Sequence, residues 1–211
     1  MQYSSLMSGL RERKKQRTRR ALADAAIRLF AERGYEETTI AEIAAEAEVS
    51  TRTFFGYFAS KEDVIFHDSA GRMEELLAMV ADRRPGETLA DLLVRVLRHG
   101  LESTADGDSF SLTEAKARMD VIMSVPALQA RGLRLLFDSQ MRLAGALCDA
   151  FAGELDLVEA AAAVGSLVGA VKLATMASLT RGDTGEQVRE AMTVATELAL
   201  RGLGASGKIS A

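Results

Sequence analysis

The chain has 211 residues, 48% of them apolar and 27% charged, with two prolines, one cysteine and a net charge of −4. A lone Cys148 and two histidines exclude a disulfide framework and a Cys-based metal cluster, so no metal site and no cofactor is expected. Residues 1–9 have no apolar centre and the longest uncharged run, 160–171, is too short to span a bilayer before Lys172; a reducing, cytoplasmic setting is therefore expected, with no membrane partner.

Abundant Ala and Leu with few β-branched runs argue for an all-α fold of one or two domains. The charge is unevenly shared. Residues 1–60 hold ten Lys/Arg against eight Asp/Glu, a net of +2, and the remainder carries −6. Seven of the ten residues from Arg11 to Arg20 are basic, a footprint for phosphates if this arm lies beside a DNA-reading element.

In chain order, a disordered N-terminal arm is expected over 1–12 and a helix over 13–33, where Leu22, Ala25, Ala26, Leu29 and Phe30 follow helical spacing and Gly34 is the stop. Thr38 or Thr39 caps a second helix over 40–47, with Glu42 placed for a capping box if Thr39 is the cap. Ser50 then caps a short helix in the stretch 49–58. Thr51, Arg52 and Thr53 fall in its first turn, the part of a helix-turn-helix recognition helix that meets base edges. Phe54 and Phe58, four apart, anchor one face, which leaves Phe55 for the DNA side or for the core and Tyr57 on a flank within reach of a phosphate.

Ser60, with Asp63 at N3, caps a long helix over 61–83 that ends at Pro85-Gly86. Further helices are expected over 88–102 (capped by Thr88), 110–123, 126–151 (opened by Pro126), 156–179 and 186–203, followed by a polar tail over 205–211. The helix over 156–179 is small-sided, and Gly165 and Gly169 would let a partner helix come close.

The series Thr18-Arg19, Ala25-Ala26, Leu29-Phe30, Gly34-Tyr35, Thr38-Thr39-Ile40, Ile43-Ala44, Val49-Ser50, Thr53-Phe54-Phe55, Tyr57-Phe58 and Ser60-Lys61-Glu62 resembles the tetracycline-repressor (TetR) family of bacterial regulators over about residues 13–65. The resemblance implies a homodimer, a three-helix helix-turn-helix DNA-binding domain over 13–60 and a helical ligand-binding and dimerisation domain over 61–204. It places Thr39 and Lys61 on phosphates and Ser50, Thr51, Arg52 and Thr53 nearest the bases. Arg52 is the leading candidate for direct readout, since a guanidinium pairs bidentately with guanine O6 and N7; a plain phosphate contact is the alternative. Two positions depart from the family pattern. Glu48 stands where glycine is frequent in the turn, and Phe55 stands where tyrosine is usual, which removes one phosphate-contacting hydroxyl.

The same resemblance implies a four-helix dimer interface from the last two helices, with Ala162, Gly165, Gly169, Val188 and Met192 as candidates. For an effector, Phe110, Met119, Met123, Phe137, Met141 and Met176 are large and adaptable enough to line a site, and His99 and Lys172 could meet its polar or anionic end. Core packing, a structural histidine and a lysine snorkelling to solvent are the competing roles. The variant pattern over 52–64 looks like a branch that includes the mycofactocin-linked regulator, which implies acyl-CoA-like ligands. The expected function is a ligand-responsive repressor acting as a homodimer on a pseudo-palindromic double-stranded operator. A DNA binder without a sensor, or an activator, is the alternative. An enzyme would have to draw on His67, His99 and Cys148, and none of them lies in a catalytic motif.

Overall fold

The computed structural model describes the backbone of residues 2–105 and 112–204 and the side chains of residues 13–99 and 116–202. Its described residues form ten α-helices and no strand. They are α1 Gln2–Arg33, α2 Ile40–Glu46, α3 Thr51–Phe55, α4 Lys61–Ile65, α5 Ser69–Ala81, α6 Leu89–Ala105, α7 Leu112–Ser124, α8 Pro126–Ala150, α9 Leu157–Arg181 and α10 Gly185–Gly204. Two compact units result: Met1–Ser69 with Ser111–Leu133, and Ala70–Phe110 with Arg134–Ala211. The first unit thus takes in α4, α7 and the opening turns of α8 besides the three N-terminal helices.

In the first unit, the apolar stripe of α1 closes the core in the expected register. Leu22, Ala26, Leu29 and Phe30 pack with Ile43, Ala44, Phe54, Phe58, Val64, Ile65, Val121 and Leu128. Gly34 ends α1 with φ +94°, its N–H bonded to the Phe30 carbonyl at 3.0 Å. The buried Thr38 fixes the following loop by donating its hydroxyl to the Gly34 carbonyl at 2.8 Å and to that of Leu29 at 3.3 Å. Of the two caps considered, Thr39 is the one used. It accepts from the Glu42 N–H, and Glu42 returns the bond to the Thr39 N–H at 2.9 Å, closing the capping box.

Two expectations are corrected. The first helix was expected to start at residue 13, but α1 is bounded by Gln2 and Arg33; no proline occurs in this stretch to interrupt the hydrogen-bond ladder. The single helix expected over 61–83 is broken at residues 66–68 into α4 and α5. The backbone there finds other partners. The His67 ring nitrogen Nδ1 lies 2.9 Å from the Val64 carbonyl, and the Arg19 guanidinium donates to the His67 carbonyl at 2.8 Å. These contacts use carbonyls that a continuing helix would need.

The second unit packs Val80, Leu92, Leu93, Val96, Leu143, Leu147, Phe151, Val164, Leu167 and Ala195 into its own core. Thr88 caps α6 as expected, with its hydroxyl accepting from the Asp91 N–H at 3.2 Å. Asp156 caps α9 in a second capping box with Glu159, and Gly182 closes that helix at φ +78°. An unforeseen clamp holds the turn between α5 and α6. Arg95 bonds both oxygens of Glu87, at 2.7 and 2.9 Å, and also reaches the Met79 and Asp82 carbonyls. With Arg95 and the Arg84 N–H as partners, the Glu87 carboxyl is held at about 2, against an ordinary 4.5.

Candidate nucleic-acid interface

The helix-turn-helix is built from α2, its turn and α3. Ala47 and Val49, half-buried, pack against the core of the first unit and seat the turn. Between them Glu48 takes φ +55°, the left-handed conformation that a glycine would adopt without strain. The departure noted in the sequence is therefore met by Glu48 tolerating αL. Ser50 starts α3 as its N-cap, accepting from the Thr53 N–H at 3.1 Å and sharing a 2.9 Å bond with the Thr53 hydroxyl.

The two faces of α3 then separate by burial. Phe54 is 0% and Phe58 3% exposed, with their ring centroids 5.6 Å apart. Phe55 is 57% exposed and meets Phe54 edge-on, so of its two alternatives the core is excluded. Thr51 and Arg52 face solvent, and the Arg52 guanidinium has no hydrogen bond or ion pair among the described residues. Thr53 and Tyr57 are half-buried on the flanks. Gly56 ends the helix where a Cβ would come within 3.2 Å of the Thr53 carbonyl oxygen, tight enough to disfavour any side chain.

Not every expected contact residue is free. The Thr39 hydroxyl is engaged with Glu42 at 2.8 Å. The Lys61 ammonium donates to the Tyr35 carbonyl at 2.8 Å and stands 4.2 Å from the Tyr35 ring centroid. In the basic stretch, Arg13, Lys14, Lys15, Arg17 and Arg20 are exposed, while Arg19 turns inward, 5.5 Å from the Phe58 ring centroid. Arg11 lies outside the described side chains. An open cleft of about 490 Å³ runs along this surface, lined by Lys14, Arg17 and Arg28 on α1 and by Glu46 and Glu48 beside the turn.

Three consecutive residues of α4 tie it to this unit. Beside Lys61, Glu62 accepts from the Tyr35 hydroxyl at 2.5 Å, and Asp63 pairs with Arg131 of α8. Burial and the Glu62 carboxylate push the Tyr35 phenol up. Burial also raises Asp63, but the Arg131 and Ser60 hydrogen bonds outweigh it and hold that carboxyl below its usual range. Sequence reasoning missed Arg131 and took Arg19 for part of the basic stretch, since their partners lie 68 and 48 residues away and leave no local signal.

The effector candidates divide between the units. Met119 and Met123 lie on α7 in the first, half-buried and 49% exposed. In the second, Phe137 is 65% and Met141 50% exposed, His99 and Met176 are half-buried, and Lys172 is accessible with its ammonium pushed down by apolar surroundings and by Arg72. Phe110 lies outside the described residues. A cleft of about 420 Å³ in the second unit is lined by Arg83, Leu89 and Phe151 and by none of these candidates. Of the interface candidates, Ala162 is exposed and Gly165, Gly169 and Met192 are half-buried. Val188 sits in the chain's own core at 3% exposure; the apolar residues α10 turns outward are instead Val194 and Leu198.

Residues 22–67 match the family described as bacterial regulatory proteins, tetR family. The chain is 38% identical over 138 residues to the HTH-type transcriptional regulator TcmR of Streptomyces glaucescens, covering 64% of this chain and 61% of TcmR. It is 28% identical over 123 residues to MftR of Mycobacterium tuberculosis, whose name links it to mycofactocin biosynthesis, covering 58% and 60%. It thus spans about three-fifths of the length of these relatives. The fold is shared with SmeT in its triclosan complex, at a TM-score of 0.63, 20% identity and 92% and 97% coverage. It is also shared with the fatty acid degradation regulator FadR of Bacillus halodurans, at 0.58, 20% and 87% and 98%. The matched segment coincides with the capped α2–turn–α3 motif and its supporting core, so this part of the chain is similar to the tetR family of bacterial regulatory proteins.

Proposed function

We propose that this protein is a cytoplasmic, ligand-responsive transcriptional repressor that binds a pseudo-palindromic operator as a homodimer. The observation that carries the reading is α3 itself. It is capped at Ser50 and pinned by Phe54 and Phe58, and it holds Thr51, Arg52 and Phe55 outward. Arg52 reads a base edge, Phe55 meets a thymine methyl or sugar, and the exposed cations of α1 meet phosphates. Thr39 and Lys61 serve phosphates only if DNA draws them from their present partners; Tyr57 reaches one from the flank. Two recognition helices would lie in successive major grooves about 34–36 Å apart.

The dimer reading is supported by an outward stripe on α9 and α10 in which Val158, Ala162, Leu173, Val194 and Leu198 are exposed. The effector is read as an apolar or acyl-CoA-like molecule bound in the second unit. SmeT forms a complex with triclosan and FadR is named for fatty acid degradation, which supports an apolar ligand for this fold. The signal would reach α4 through the break at residues 66–68. Because DNA and effector favour different states, each weakens the other by the same factor.

The test is DNA binding by wild type and Arg52→Ala, on the promoter region of the protein's own gene and on scrambled DNA. Wild type is expected to prefer the promoter, and Arg52→Ala to lose that preference, by about 1–3 kcal/mol, while keeping weak, salt-sensitive binding. Equal preference in the two proteins would sink the assignment of Arg52 to base readout.

A further inference from the structure

Within the basic stretch of α1, Arg19 departs from its exposed neighbours Arg17 and Arg20. It lies three and four residues before Leu22 and Ala23, both 0% exposed, so the register of the helix turns it towards the core. There its guanidinium Nη2 donates to the His67 carbonyl at 2.8 Å, and its Cζ stands 5.5 Å from the centroid of the Phe58 ring. Its Nε–H is buried with no acceptor among the described residues. A cation placed for phosphate would keep all its donors in water. This one gives up the hydration of a donor to stay in the cluster.

What the cluster holds is the end of the recognition helix. The Phe58 N–H bonds the Phe54 carbonyl at 2.9 Å, closing the turn that follows α3. The Phe58 ring meets that of Phe54 at 5.6 Å and that of His67 edge-on at 6.4 Å. His67 is itself fixed, with Nδ1 2.9 Å from the Val64 carbonyl and Nε2 3.0 Å from an Asp68 carboxylate oxygen. One arginine thus reaches both the ring that pins α3 and the backbone of the break between α4 and α5. All of these residues lie in the first unit. A guanidinium suits the task, because its flat face can lie against an aromatic ring while its edge donates to a carbonyl.

We propose that Arg19 is a positioning residue for base readout: it touches no DNA, and it sets the pose of Thr51, Arg52 and Phe55 by gripping Phe58 and the His67 carbonyl together. This rests on the reading of α3 as the base-reading helix. Hydrogen bonds to base edges need aligned donors and acceptors, so a small shift of α3 weakens them. Attraction to phosphates acts over a longer range and does not depend on sequence. Losing Arg19 therefore costs sequence preference rather than attraction to DNA in general.

The test measures affinity against salt concentration for full-length wild type, Arg19→Met, Arg19→Lys and, as a reference for an exposed cation, Arg17→Met. Two DNAs are used, a duplex that wild type selects from random sequence and a scrambled one. Arg19→Met is expected to lose roughly three- to thirtyfold of the preference for the selected duplex, with its salt dependence on scrambled DNA unchanged. Arg17→Met should do the reverse, keeping the preference while the slope of log affinity against log salt falls by about one. Arg19→Lys should restore most of the preference, since an ammonium can donate to a carbonyl and face a ring at once, as Lys61 does at Tyr35. Partial unfolding cannot imitate this pattern, because an inactive fraction lowers both affinities by the same factor and leaves their ratio intact. A shallower salt slope in Arg19→Met with its preference intact would make Arg19 a phosphate contact and overturn the proposal. Full preference with an unchanged slope would overturn it too, as would Arg19→Lys performing no better than Arg19→Met. If wild type selected no sequence at all, the base-reading assignment of α3 would fall, and this role with it.

Discussion

Replacing Glu48 by glycine is predicted to stabilise the protein although it removes a side chain. Glu48 holds φ +55° in the turn between α2 and α3. For an L-residue that conformation costs roughly 1–2 kcal/mol, which glycine does not incur. Against this, glycine gives the unfolded chain more freedom, worth about 0.4–1 kcal/mol. No hydrogen bond or ion pair of the Glu48 side chain enters the balance, because it makes none among the described residues. The net is a gain of roughly 0.5–1 kcal/mol, or about 1–4 °C in melting temperature for a chain of this size. Circular dichroism melts of wild type, Glu48→Gly and Glu48→Val provide the assay, with valine expected to lose at least about 1 kcal/mol because β-branching makes αL costlier. If glycine and valine destabilised equally, the strain argument would be refuted and Glu48 would owe its place to its own contacts.

Two further predictions concern stability. Glu87 is held at about 2 by Arg95 and the Arg84 N–H, so its contribution is fully present above the ordinary carboxylate value of 4.5 and is lost as pH falls towards about 2. Urea midpoints should therefore show Glu87→Gln weaker than wild type at neutral pH, with the gap closing across that acid range; a gap independent of pH would contradict the clamp. Ser50→Ala should cost about 1 kcal/mol, since the Thr53 N–H loses its acceptor. An unchanged urea midpoint would mean that water replaces the cap without loss.

What was legible in the sequence was whatever depended on near neighbours. Capping boxes at Thr39–Glu42 and the cap at Ser50 span three residues, and the burial of Leu22, Leu29 and Phe54 follows from helical spacing, so both could be read from the chain. The break at residues 66–68 could not. It depends on Arg19 reaching the His67 carbonyl from 48 residues away, a contact that periodicity does not report. The same blindness affects Val188, an interface candidate implied by the resemblance that the single chain leaves only 3% exposed.

The character of α9 brings these strands together. By length and composition alone this helix could cross a membrane, yet only 28% of its apolar window is buried in the single chain. Its buried face, with Ala160, Ala163, Val164, Leu167 and Val171, is committed to the core of the second unit. Lys172 interrupts the run, and capped ends at Asp156 and Gly182 fit a helix whose termini meet water. The outward face is small and apolar, with Ala162, Ser166, Leu173 and Ala177 in helical register. Such a face costs free energy in water and has too little bulk to fold over itself, whereas small residues let a second helix approach closely. A symmetric copy of the same face, as in the proposed dimer, would meet that need, because in a two-fold interface each surface is its own complement. In the proposed dimer α9 would supply the two-fold contact, and a pseudo-palindromic site is what the resulting pair of α3 helices would read.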